Sequence, residues 1–181
     1  GYEFLRWEGA ATGTDPSASV VMDSNKTVTA VFSPLYALTV EVDGQGNVAP
    51  NGGLYSDGET VDLTATPAAG WRFDRWEADA SGNAATTSVV MDGPKVVRAV
   101  FIQQFTITIT TTGQGTVVYD GPTTVDAGTV CSMLAVPADG WRFDAWTADV
   151  PSSDPVITFA VNGNMSVNAV FIQQYPLEVS V

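Results

Sequence analysis

Apolar residues recur at every second position through most of the chain. Leu38, Val40 and Val42 alternate with Thr39 and Glu41, and Ile107 and Ile109 alternate with Thr106, Thr108 and Thr110. Leu177, Val179 and Val181 repeat the pattern. A period of two sends successive side chains to opposite faces of a strand. A Gly-containing turn follows each run, then a short strand around Val48 or Val117. Next come Val61, Leu63 and Ala65, with Asp62, Thr64 and Thr66 facing away, and their twins Cys131, Met133 and Ala135. Pro67 and Pro137 should end these strands, because proline donates no ladder hydrogen bond. On the closing strands Val28, Ala30 and Phe32 face one way, as do Val97, Ala99, Phe101 and Val167, Ala169, Phe171. Asp92-Gly93 and Asn162-Gly163 read as the turns of hairpins that end in these strands. No stretch carries a 3.6-residue apolar stripe, so an all-β fold without long helices is expected.

The same landmarks return along the chain. Gly1-Tyr2-Glu3-Phe4-Leu5-Arg6-Trp7 corresponds to Gly70-Trp71-Arg72-Phe73-Asp74-Arg75-Trp76 and to Gly140-Trp141-Arg142-Phe143-Asp144-Ala145-Trp146. The spacings are 69 and 70 residues by subtraction. Gly44-Gln45-Gly46 returns as Gly113-Gln114-Gly115, and Phe101-Ile102-Gln103-Gln104 as Phe171-Ile172-Gln173-Gln174. Several landmarks keeping one period mark a tandem repeat. The chain divides into the back half of a copy at 1–35, complete copies at 36–104 and 105–174, and the first strand of a following copy at 175–181. These ends read as a stretch of a longer array. In the aromatic segment, strict alternation would put Phe73 and Trp76 on opposite faces. A bulge near Asp74-Arg75 and near Asp144-Ala145 is expected to return the second Trp inward.

Composition narrows the chemistry. The 181 residues carry 7 Lys+Arg against 20 Asp+Glu, a net charge of −13, with no His and one Cys. Without His there is no His-based triad and no imidazole ligand. One Cys allows no internal disulfide and no Cys-cluster zinc site. The acidic balance argues against nucleic acid, which needs a Lys/Arg surface. No apolar run is long enough to span a membrane as a helix, so no membrane insertion is expected. The 45% apolar content calls for a packed core.

At these residues the sequence resembles the divergent internalin-type B-repeat family of bacterial surface proteins. The resemblance rests on Gly70-Trp71-Arg72-Phe73-Asp74-Arg75-Trp76, Met91-Asp92-Gly93-Pro94-Lys95 through Phe101, and Gly58-Glu59-Thr60-Val61 through Pro67. The third copy departs, with Val161, Asn162 and Met165 in place of Met, Asp and Lys. The resemblance implies extracellular, multi-copy spacer or adhesive modules without known catalysis. It also implies a β-grasp-like unit as the alternative to a small β-sandwich.

Each copy is small, so its large aromatics must contribute much of its core. The expected core residues are Trp7, Phe32, Phe73, Trp76, Phe101, Phe143, Trp146 and Phe171. Tyr2, Trp71 and Trp141 begin the aromatic strand and are the candidates for a glycan-binding or receptor-binding platform. Val31, Val100 and Val170 recur on the reverse of the closing strand and suggest a second buried surface. The Ile102-Gln103-Gln104 connector is short and lacks Gly and Pro, which suggests neighbouring copies held at a near-fixed angle. Asp74 and Asp144 are replaced by Leu5, and Asp79 and Asp149 by Ala10, so none reads as a catalytic carboxylate. Asp43, Asp57, Asp92 and Asp120 lie in turns but match no calcium-loop spacing. Cys131 stands at the position of Val61 and reads as a small buried hydrophobe. The triplets Asn25-Lys26-Thr27 and Asn164-Met165-Ser166 are sequons in polar turns. The leading expectation is a non-catalytic array at the cell surface, needing no cofactor or metal and associating with neighbouring repeats or chains. The strand at 176–181 is expected to be completed by a following copy, and in a fibre or an isolated fragment to add to a sheet edge of a neighbouring chain.

Overall fold

A computed structural model describes residues 1–175; the strand expected over 176–181 lies outside them. The described residues are all β, with no helix. The strands are β1 (Tyr2–Gly9), β2 (Val28–Asp43), β3 (Gly46–Ala49), β4 (Gly52–Ser56), β5 (Thr60–Pro67), β6 (Trp71–Ala78), β7 (Thr86–Val90) and β8 (Lys95–Thr112). They continue as β9 (Gly115–Val118), β10 (Thr124–Asp126), β11 (Val130–Pro137), β12 (Trp141–Ala148), β13 (Val156–Ala160) and β14 (Met165–Gln173). The chain forms two compact bodies, Gly1–Phe101 and a second that begins at Ile102.

In the first body, β3, β5 and β7 form an antiparallel sheet in the order β3-β5-β7. A second sheet is built on β2, which pairs antiparallel with β1 and β4 and parallel with the Lys95–Val100 part of β8. β6 also pairs with β8. The inward residues of both sheets meet in one core of Leu38, Val48, Val61, Leu63, Ala65, Trp76, Val89, Met91, Val97, Ala99 and Phe101. Two sheets sharing one core make a small sandwich. The β-grasp alternative requires a helix, and the described residues have none.

The second body repeats the plan. β9, β11 and β13 form the antiparallel sheet, and β14 pairs antiparallel with β12 and parallel with β8 over Ile107–Thr112. β10 pairs with β8 at Gln104–Thr106. The core is Ile107, Val125, Cys131, Met133, Ala135, Trp146, Ile157, Val161, Val167, Ala169 and Phe171. β5 and β11 end at Pro67 and Pro137, the residues that cannot continue a ladder.

Two features differ from the sequence expectation. The first strand of each complete copy pairs in parallel with its last, a direction that period-two patterning does not encode. The Asp92-Gly93 and Asn162-Gly163 turns do not close hairpins. β7 pairs with β5, and β13 with β11, while β8 and β14 belong to the other sheets. Each turn carries the chain from one sheet to the other across the end of the core. Met91 and Val161 sit at these crossings, fully buried. Met91 N–H donates to Glu59 O at 2.8 Å, and its carbonyl accepts from Gly58 N–H at 2.9 Å. Val161 makes the same pair of bonds with Thr129 and Gly128. The crossing is thus pinned by backbone bonds to the preceding turn.

Candidate functional site

The recurring aromatics converge in one arrangement. Phe73 lies 5.1 Å from Trp76 and 5.6 Å from Phe101, centroid to centroid. Phe143 lies 5.7 Å from Trp146 and 6.1 Å from Phe171, and Phe4 lies 5.1 Å from Trp7 and 5.8 Å from Phe32. The pairs are tilted or edge-on, the geometry that the ring quadrupoles favour. The strand register explains how Phe and Trp share a face three residues apart. A bulge lies between Phe143 and Ala145, and another between Phe4 and Arg6. The extra residue, Asp144 or Leu5, restores the inward orientation of the Trp. Phe4 is a member of the trio that the sequence reading missed, although alignment with Phe73 identifies it.

Burial separates the copies. Trp76, Phe101, Trp146 and Phe171 are buried, whereas Phe73 and Phe143 are half-buried. Trp7 is also half-buried, and Phe32 is 55% exposed, contrary to its expected place in a core. The reason is the cover. Phe101 and Phe171 each lie against a glycine, Gly46 and Gly115, where an added Cβ would come within 2.5 Å of the ring. Residues 1–35 contain no counterpart of the strands that carry those glycines.

The neighbouring glycines receive the other Trp. A Cβ at Gly44 would lie 2.8 Å from the Trp71 ring, and one at Gly113 would lie 2.8 Å from Trp141. The Gly-Gln-Gly landmark is therefore a bed for two rings. Its first glycine has φ +89° or +82° and turns the chain; its second admits the Phe. Trp71 and Trp141, the candidate platform residues, are half-buried and packed on the two cores. Tyr2, in the partial copy, is 74% exposed. Val100 is buried, and Val31 and Val170 are half-buried.

The recurring carboxylates are occupied with structural partners. Asp79 Oδ2 accepts from Val96 N–H at 2.7 Å, and Asp149 Oδ2 from Ser166 N–H at 2.7 Å. Both cap the start of the closing strand, while Ala10 makes only the backbone bond to Thr27. Asp74 at the bulge pairs with Arg72 at 2.7 Å and Arg75 at 2.6 Å. Partial burial pushes its carboxyl up, but the bonds and charges of Arg72 and Arg75 outweigh this and hold it below the usual range. Lys26 and Lys95 likewise hold Asp23 and Asp92 low through hydrogen bonds across their turns. Among the described residues no group of three His, Cys, Asp or Glu side chains comes together as a metal site. No described helix is long and apolar enough to cross a membrane.

The second body holds a groove of about 650 Å³, walled by Val118, Tyr119, Val125, Val130, Leu134 and Val156 among others. It opens where β9 stops short, since β9 pairs only with Leu134–Pro137 of β11. Tyr119 O–H donates to Pro122 O at 2.9 Å and lies 3.4 Å from Cys131 Sγ. Burial, then the bond to Cys131, pushes the Tyr119 phenol up to about 12. Cys131 is buried. The sequence reading did not single out Tyr119.

The fold and these sites define a tandem β-repeat protein whose conserved-looking landmarks are packing devices within each copy. The family model described as the divergent InlB B-repeat domain matches at residues 1–35, 36–104 and 105–174, and the chain belongs to that family. Such repeats are typical of bacterial cell-surface proteins. No curated protein and no solved structure matches the chain.

Proposed function

We propose that the chain is a non-catalytic structural segment of an extracellular bacterial surface protein, serving as a stalk or spacer between functional parts. The observation that carries this reading is the placement of the repeated aromatics. Trp76 and Trp146 are buried, and Trp71 and Trp141 lie against the glycines of their own copies. A glycan platform would instead leave a ring face open. The short Ile102-Gln103-Gln104 connector supports stiffness, and the net charge of −13 supports solubility and mutual repulsion of parallel copies. Small-angle scattering on the chain tests the reading. The expected result is a distance distribution with one defined maximum length; a distribution typical of freely jointed bodies overturns the spacer role.

A further inference from the structure

The first and last strands of each complete copy lie side by side and run the same way. In the first body Leu38–Asp43 of β2 pairs with Lys95–Val100 of β8, and in the second Ile107–Thr112 of β8 pairs with Met165–Val170 of β14. Both ladders hold six paired positions. The chain enters a copy at the start of its first strand and leaves past the end of its last. Because the two strands run parallel, those points lie at opposite ends of one ladder. A pull along a tandem chain therefore slides the strands past each other and strains all six positions together. An antiparallel pair would put both points at the same end, where a pull opens the ladder one position at a time.

We propose that this ladder is a mechanical clamp, and that each copy resists tension along the chain as well as keeping a distance. Two further features fall on the same ladder. Its inward side chains are sealed from water: Leu38, Val97 and Ala99 are buried in the first body, and Ile107, Val167 and Ala169 in the second. Water has no access from that side to compete for the ladder's backbone bonds. Its outward side carries a polar rung at aligned positions, 98 and 168. Arg98 of β8 pairs with Asp43 of β2 across the first ladder. Across the second, Thr110 Oγ1 donates to Asn168 Oδ1 at 3.1 Å, and Asn168 Nδ2 donates to Thr112 Oγ1 at 3.2 Å. The chemistry of the rung differs between the copies, while the two strands it bridges stay the same. The β3-β5-β7 and β9-β11-β13 sheets lie off this path, so tension reaches them only after the clamp gives way. The inference rests on the spacer reading for the source of the tension. Failure of the clamp leaves that reading standing, because scattering tests length and a pull tests resistance.

Single-molecule pulling on the full chain tests the clamp, in a Cys131→Val background that copies Val61. Handles on Thr106→Cys and Gln174→Cys strain the second body along the ladder. Handles on Thr111→Cys and Gln174→Cys strain the same ladder from one end. All three positions are exposed. Held at the same force, the first geometry should unfold at least tenfold more slowly than the second. It should do so in one step that adds roughly 200 Å of contour length, the ~3.3–3.6 Å per residue of the 68 residues from 106 to 174 (by subtraction) less the folded span. That step also shows that the substituted body was folded. Equal rates, faster unfolding in the first geometry, or a gradual lengthening without a step overturns the clamp.

Discussion

Single residues in this chain act through rings and the small spaces that hold them. Trp76 Nε1–H donates to Ala84 O at 2.9 Å, while the equivalent indole N–H of Trp146 finds no partner among the described residues. Replacing either Trp by Ala should cost about 3–5 kcal/mol, through lost burial and the cavity left behind. Replacing each by Phe should separate them. Trp76→Phe forfeits a hydrogen bond worth ~1 kcal/mol, and Trp146→Phe removes an unsatisfied donor. Urea unfolding should therefore find Trp76→Phe the more damaging change relative to its body. Ala148 adopts φ 72° and Ala78 φ 69°, at the position where the first copy has Gly9. The left-handed region costs an L-residue ~1–2 kcal/mol, partly offset by the entropy a glycine would lose. Ala148→Gly is expected to raise stability by about 0.5–1 kcal/mol, measured by the same unfolding. The aligned copies carry Gly9, Ala78 and Ala148 there, so glycine is already accepted at this position once in three.

At the level of elements, the strands and the bulge were legible in the sequence, and the pairing was not. Period two located β5 and β11, and the spacing of Phe143 and Trp146 demanded one extra residue, which Asp144 supplies. The same dipeptide chemistry serves a hairpin and a sheet-to-sheet crossing, so Asp92-Gly93 could not reveal which sheet β8 joins. Phe32 was misplaced because its burial depends on strands outside residues 1–35 rather than on its own alternation. The crossing in the second copy has an acid dependence that the third lacks. Lys95 holds Asp92 below 3.8, so the ionised pair favours the folded turn above that pH. The support is lost as pH falls through the lowered folded value. Asn162 and Met165 replace this pair in the third copy. Hydrogen exchange at the amides after Asp92 should accelerate on acidification relative to those after Asn162. Parallel behaviour at the two turns would contradict this account. The cap at Asp149 supplies a further check at this scale: Asp149→Ala should lower the stability of its body by about 1 kcal/mol.

For the whole molecule, charge and packing act in opposite senses. Thirteen excess negative charges repel neighbouring chains, while the recurring rings hold each copy together. Salt shortens the screening length from about 30 Å at 0.01 M to about 8 Å at 0.15 M, so this repulsion should fade as salt rises. Light scattering at the two ionic strengths checks this: the second virial coefficient should fall as salt rises, and a coefficient that does not move would contradict it. The wider account is that each copy uses its recurring rings to hold itself together and keeps none in reserve for a ligand. Trp141 is the decisive ring, because it is half-buried and could serve either purpose. Urea unfolding of the second body in Trp141→Ala, followed by amide hydrogen exchange within residues 102–175, tests the account most directly. It predicts a midpoint lowered by the equivalent of about 2 kcal/mol, as for other partly buried rings. An unchanged or raised midpoint, the behaviour of a side chain held ready for a ligand at the expense of stability, would contradict it.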